Sequence, residues 1–220
     1  SDEEIEEAAR CSYGSETRKV NETRGLLRYL LNHKPTSPFE QAEVKFYLKM
    51  PIFCMRQFVR HRTANLNEYS ARYSVMKDEF YVPSFDYMKP QSKTNKQGSD
   101  GDITDFDKQL YDHRIELANE QAMDSYEYLL NDGEGLSREL ARIVMPVSAY
   151  TECYWKCDLH NFFHMAKLRM DPHAQQEIRD IANAMYEIVK PLFPIACEAF
   201  EDYILNAVTF SAMEMKVLKG

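Results

Sequence analysis

The chain reads as an α+β protein, and three observations carry that reading. Val44, Phe46, Leu48 and Met50 alternate with Glu43, Lys45, Tyr47 and Lys49, the period of a strand with one buried face. Asp105 to Leu130 and the stretch after Asp171 instead repeat apolar residues at helical spacing. Strand and helix signals do not alternate, which argues against a doubly wound parallel sheet.

Taken in order, Ile5, Ala8 and Ala9 predict a short opening helix that ends near Cys11 and Ser12. Leu26, Leu27, Leu30 and Leu31 make the stripe of a second helix that must stop before Pro35. The strand over 44–50 ends at Pro51, which can open a helix because a first turn does not use its missing N–H. From Pro83 to about Thr104 the chain is polar and broken by Gly98 and Gly101, so a mobile surface loop is expected. The helix from Asp105 stops at Asn131, Asp132 and Gly133, and Ser137 reads as the cap of a helix through Val144. Val147 to Trp155 is rich in β-formers and predicts a second strand. Asp158 caps a helix through Leu168, and Asp171-Pro172 starts one whose apolar face is Ile178, Ile181, Ala182, Met185 and Ile188. A single domain over 1–220 accounts for all of these.

The 220 residues carry 35 acidic and 27 basic side chains, a net charge of −8. That balance disfavours nucleic acid and anionic membrane as partners. The longest stretch without Asp, Glu, Lys or Arg, Tyr203 to Met213, is well short of the roughly 20 residues that span a bilayer. The opening SDEEIEEAAR has no apolar signal core. Five cysteines form no Cys-x-x-Cys pair, so neither a disulfide framework nor a zinc ribbon is expected, and a reducing, cytoplasmic setting fits.

Within this acidic chain, Pro51 to Val75 holds Arg56, Arg60, Arg62 and Arg72 against Glu68 alone. Arg56 and Arg60 are four apart on a helix and repel unless an anion sits between them. Guanidinium forks suit phosphate and carboxylate, which points to a nucleotide-like ligand. The plain alternative is pairing with the surplus carboxylates. A second cluster is Asp158, His160, His164, Arg169 and His173. His160 and His164 have the spacing of two metal ligands on one helix face, although His-Asn-Phe-Phe-His lacks the glutamate of a zinc-protease helix, and ordinary polar packing is the commoner fate. Ser70 has no Gly-x-Ser-x-Gly elbow, no cysteine has an activating motif beyond Cys11 beside Arg10, and the glycine-rich loops of Rossmann and P-loop folds are missing. Any nucleotide must be held by side chains and helix ends.

Arg60-His61-Arg62, with Ser70 after seven intervening residues, resembles the signature of the flavin-dependent thymidylate synthases. The surrounding text is similar to that family too. It includes Ser37-Pro38-Phe39-Glu40, Pro51-Ile52-Phe53, Arg56-Gln57, Asn67 through Ser74, Ala141 through Val144 and Leu168 through Gln175, all in the family's order. The resemblance runs from about Ala8 to about Phe200. It implies a large mixed sheet with flanking helices and an enzyme that reductively methylates dUMP to dTMP. Methylenetetrahydrofolate would give the carbon, and FAD reduced by NADPH the hydride. It also implies a homotetramer with active sites at subunit interfaces, and no cysteine nucleophile.

By position, the resemblance assigns Ser37, Arg60, His61, Arg62, Glu68, Asp158, Leu159, His160 and His164 to FAD. It assigns Gln57, Phe58, Val59, Arg60, Glu68, Tyr69, Ser70, Ala71, Arg72, Arg142 and Arg169 to dUMP. Arg169 and Ser70 are the candidate catalytic residues, Arg169 as the group that ionises the pyrimidine N3–H, which an always-charged guanidinium can do by stabilising the anion. The histidine pair is then flavin contact, and no metal is implied. Where relatives usually carry a histidine near the flavin, this chain has Pro35, with His33 as the nearby substitute. The alternatives left open are a catalytically impaired flavin- or nucleotide-binding homologue and a metal hydrolase built on Asp158, His160 and His164.

Overall fold

In a computed structural model, residues 1–11, 22–94, 96 and 98–219 are described. Their elements run α1 (Asp2–Arg10), α2 (Thr23–His33), β1 (Glu43–Pro51), α3 (Ile52–Phe58), β2 (Asn65–Glu68), α4 (Asp105–Asn131), α5 (Arg138–Ala141), β3 (Tyr150–Asp158), α6 (Leu159–Arg169), α7 (Gln176–Val189), α8 (Pro194–Phe200) and α9 (Ala212–Lys219). The fold is α+β. The expected large sheet is small: three strands among the described residues, in the order β1-β3-β2. The chain divides into two compact units, one made of 1–44, 158–168 and 182–220, the other of 45–157 and 169–181.

The second unit contains the sheet. Along β1, Val44, Phe46, Leu48 and Met50 are buried and their neighbours exposed, as the alternation requires. On β3, Thr151, Cys153, Trp155 and Cys157 point inward. Trp155 lies edge-on to Phe58 at 5.0 Å and tilted to Phe46 at 6.3 Å, joining the sheet to α3. Each such side chain contributes about 1.5–3 kcal/mol of burial. β3 begins later than Val147, because Ala149 N–H closes a turn onto Pro146 O and the ladder starts at Tyr150. β2 has no alternation at all: its four residues are exposed, and its strand character comes from antiparallel pairing, Asn65 opposite Lys156 through Glu68 opposite Cys153.

Thr104 caps α4: its Oγ1 accepts from Asp107 N–H at 3.2 Å and donates to Asp107 Oδ2 at 2.7 Å. The helix ends as expected at Asn131, and Gly135 at φ +69° lets the chain turn back where a Cβ would meet Leu130 O at 2.4 Å. Tyr126 of α4 is fully buried against Met76, Ala141 and Ala149. Ser137 precedes α5, but its side chain makes no capping bond; the helix is four residues long and continues as a 3₁₀ turn over Arg142–Val144. Within loop 83–104, Tyr87 donates to Asp180 at 2.5 Å, and Gln91 pairs with Ser99.

In the first unit α1, α2 and α8 pack together around Ile5, Leu27 and Leu31, and Phe200 stacks on Phe163 at 4.5 Å. Asp2 caps α8 from across the sequence, accepting from the amides of Ile195 at 2.8 Å and Ala196 at 3.0 Å. Arg24 and Arg28 share Glu198, and Arg28 also pairs with Asp202. The opening helix ends at Arg10 as expected; Ser12 lies outside the described residues. The helix expected from Asp171-Pro172 starts later, at Gln176, because Asp171 Oδ1 accepts from His173 N–H at 2.8 Å and closes a separate turn. Its inward face also differs. Ile178, Ala182 and Met185 are buried as expected, but Tyr186 and Val189 complete the stripe, leaving Ile181 half-buried and Ile188 exposed.

Candidate active site

The arginine-rich segment is positioned by two backbone bonds. Ile52 N–H donates to Ala149 O at 2.9 Å and Phe53 N–H to Val147 O at 3.0 Å, which fixes the start of α3 beside the β3 entry. Past β2 the chain folds back: Ser70 O accepts from the amides of Tyr73 and Ser74 at 3.1 Å each, and Tyr69 donates to Val75 O at 2.7 Å. Between these segments and the turn over 142–144 opens a cleft of about 540 Å³. Arg56, Glu68, Tyr69, Ser70, Ala71, Arg142 and Thr151 line it, so it gathers five of the residues assigned to dUMP with Arg56, which charge patterning had flagged. Thr151 was missed; a threonine on a strand carries no signal until its Oγ1 is seen donating to Glu68 Oε1 at 2.7 Å.

A second group forms around Arg169. Its Nε donates to His61 Nε2 at 2.9 Å and a terminal N–H to Gln57 O at 3.4 Å. A guanidinium only donates, so His61 Nε2 is an acceptor here and the imidazole is the tautomer protonated at Nδ1. Burial lowers the Arg169 pKa from its ordinary value. Gln57 further donates its side-chain amide to Gln175. Arg72, outside the cleft lining, pairs with Glu139 at 3.1 Å. Among the described residues Arg56, Arg60 and Arg62 make no ion pair, so pairing with surplus carboxylates holds for Arg72 alone of the four.

Two of the assigned residues have side chains in the core. Phe58 is fully buried against Trp155, so only its backbone is left to face a ligand, whereas Val59 is 42% exposed. Leu159 is fully buried as well, and its amide donates to Ala42 O at 2.8 Å. Asp158 caps α6 as expected, accepting from Asn161 N–H at 2.8 Å. His160 and His164 line a cleft of about 430 Å³ in the first unit with Lys34, Pro35, Thr36 and Phe163, while Ser37 is exposed beside it. His33 is tied back onto α2: its ring stacks on Tyr29 at 4.0 Å and Nδ1 lies 2.9 Å from Tyr29 O, so it does not stand in at position 35.

Each unit by itself carries donors of a kind a flavin dinucleotide takes. In the second, Arg60 and Arg62 are exposed guanidiniums with no ion pair among the described residues, the chemistry that suits a pyrophosphate. In the first, the cleft sets the imidazoles of His160 and His164 beside Phe39 and Phe163. A metal hydrolase is poorly supported: among the described residues no group of three or more His, Cys, Asp or Glu is placed to hold an ion. Burial pushes the Cys54 thiol up to about 12 and that of Cys153 to about 11, so neither is a nucleophile. Among the described residues no helix is long and apolar enough to cross a membrane.

The fold is α+β, and its cleft between α3, β2 and the 142–144 turn presents guanidiniums of the kind that take a phosphorylated ligand. Residues 1–195 match the thymidylate synthase complementing protein family, and the chain belongs to it. It is 49% identical to the flavin-dependent thymidylate synthase of Dictyostelium discoideum over 97% of this chain and 69% of that one. Against the enzyme of the same name from Treponema denticola the identity is 47%, over 100% and 82%. Among solved structures, a UMP/dUMP methylase from Streptomyces cacaoi bound to 5-bromo-dUMP superposes with a TM-score of 0.82 at 34% identity, covering 92% of this chain and 91% of that one.

Proposed function

We propose that the protein is a flavin-dependent thymidylate synthase that reductively methylates dUMP to dTMP. The carbon comes from 5,10-methylenetetrahydrofolate, and NADPH reduces the FAD. The observation that carries this reading is the cleft in which Ser70, Glu68, Arg56 and Arg142 converge, two guanidiniums being suited to a nucleotide phosphate. Bound and reduced, the flavin supplies the hydride. In the second unit Arg60, His61 and Arg62 are the residues that would hold it; Ser37, His160 and His164 of the first unit carry the same assignment, with Asp158 as the cap that orients α6.

Arg169 has the second task. Held between His61 Nε2 and Gln57 O, it is oriented before any ligand arrives. A fixed cation stabilises the negative charge that spreads over a uracil ring as N3–H ionises, which makes C5 the better carbon nucleophile. Ser70 orients rather than attacks: its Oγ accepts from Arg72 N–H at 3.3 Å, and among the described residues no basic side chain is hydrogen-bonded to it. Apolar residues left exposed on α4, among them Phe106, Leu110 and Tyr111, support self-association into a tetramer. Five free cysteines suit a reducing cytoplasm.

The test is an anaerobic absorbance trace of purified protein with NADPH, with and without dUMP. A flavin spectrum that bleaches faster with dUMP is expected. Flavin present but indifferent to dUMP would favour an impaired homologue, and protein that neither carries nor binds FAD would sink the reading.

A further inference from the structure

Glu139 stands on α5, and neither composition nor resemblance singles it out. Its Oε2 accepts from Arg72 Nη2 at 3.1 Å, with the two side chains 57% and 47% exposed. One further bond ties α5 to the same turn of chain: Arg138 Nη1 donates to Tyr73 O at 3.0 Å. On its other side α5 is braced on its own 3₁₀ continuation, where Arg142 Nε donates to Glu139 O at 3.2 Å. The Arg72–Glu139 pair is therefore not the sole tie between α5 and this turn. Arg56 and Arg142, by contrast, have no carboxylate partner among the described residues.

We infer that Glu139 is a placeholder, occupying Arg72 until the phosphate of the incoming nucleotide displaces it. This rests on the assignment of Arg72 to dUMP, and takes its guanidinium, beside Ala71 of the cleft, to reach the phosphate together with those of Arg56 and Arg142. One carboxylate–guanidinium contact open to water is worth at most about a factor of five in an equilibrium. A phosphate dianion that takes the guanidinium through two parallel N–H bonds is the stronger partner. The carboxylate thus keeps Arg72 near its working position at the edge of the cleft while water is there, and yields when a phosphate arrives. Once displaced, it is a like charge close to the ligand, so it lowers affinity for anything phosphorylated and leaves the unphosphorylated nucleoside alone.

The experiment compares the full flavin-loaded chain with Glu139→Gln, Arg72→Gln and the double variant, titrating dUMP, deoxyuridine and inorganic phosphate by calorimetry. Glu139→Gln is expected to tighten dUMP and phosphate about two- to fivefold, to leave deoxyuridine unchanged and to have a smaller effect once Arg72 is glutamine, when only the like-charge repulsion remains. Equal shifts for dUMP and deoxyuridine would show a merely structural role and overturn the inference. Weaker dUMP binding in Glu139→Gln would make Glu139 an orienting partner of Arg72 and overturn it as well. If Arg72→Gln costs dUMP nothing, the assignment of Arg72 to the phosphate fails and the placeholder falls with it. If Arg72→Gln weakens dUMP but Glu139→Gln changes nothing, only the placeholder fails.

Discussion

Tyr126→Phe tests how the core holds the cleft. The Tyr126 ring is fully buried, and its hydroxyl oxygen accepts from Met76 N–H at 3.1 Å. Met76 is itself 8% exposed and lines the cleft. Phenylalanine keeps the ring and its burial but leaves a main-chain N–H inside the protein with no acceptor. Stranding such a donor costs about 1–3 kcal/mol. For a chain of this length each kcal/mol lowers Tm by roughly 2–4 °C, so a drop of roughly 2–12 °C is expected by scanning calorimetry. Hydrogen exchange at the Met76 amide should quicken by about tenfold or more, since 1.4 kcal/mol is one decade. The Tyr69–Val75 bond survives the change, so dUMP binding should weaken only modestly. A Tm within 1 °C of wild type together with unchanged protection at Met76 would refute the reasoning, because the amide would then have another acceptor.

Arg169→Ala should lower the rate of dTMP formation by about 10²–10³, the usual loss when a transition-state charge stabiliser is removed, while most of the flavin stays bound; near-normal turnover would remove Arg169 from its role. Ser70→Ala should raise the KM for dUMP without abolishing turnover, and complete loss of activity at unchanged dUMP affinity would make the serine a nucleophile after all. Arg24 first, then Arg28, hold the Glu198 carboxyl below its ordinary value of 4.5. A depressed folded pKa stabilises the protein fully above that value, and the contribution is lost as pH falls through the folded pKa. Glu198→Gln should therefore cost less than about 1 kcal/mol at pH 7 and flatten the fall of Tm below about pH 4.5; an unchanged acid limb would show that this pair is not what acid breaks.

Local chemistry was legible wherever a segment decides its own fate. The alternation through β1, the Thr104–Asp105 start of α4 and the Asp158 cap are each set by neighbours within four residues. What escaped depends on distant partners. β2, Asn-Leu-Asn-Glu, is a strand only because β3 lies beside it, and Asp171 closes its own turn instead of capping the helix it precedes. The site followed the same division. Ser70 and Arg142 were assigned together through resemblance, since nothing in a pattern of periods links positions so far apart. Phe58 was assigned to dUMP by position, yet its ring serves the core, a distinction that only packing draws. Glu139 looked like any helix-surface acid until Arg72 was found against it.

The way the two units share the chain has its own consequence. The backbone passes from one to the other between 44 and 45, 157 and 158, 168 and 169, and 181 and 182. A ribosome delivering this polypeptide completes neither unit in a single pass. The sheet-bearing unit needs 169–181 to emerge after the first stretch of α6 has gone to its neighbour, and α1 waits for the segment Pro194–Phe200 that Asp2 caps. Neither unit can be cut out as one continuous segment, and a single proteolytic nick leaves the backbone still passing between them.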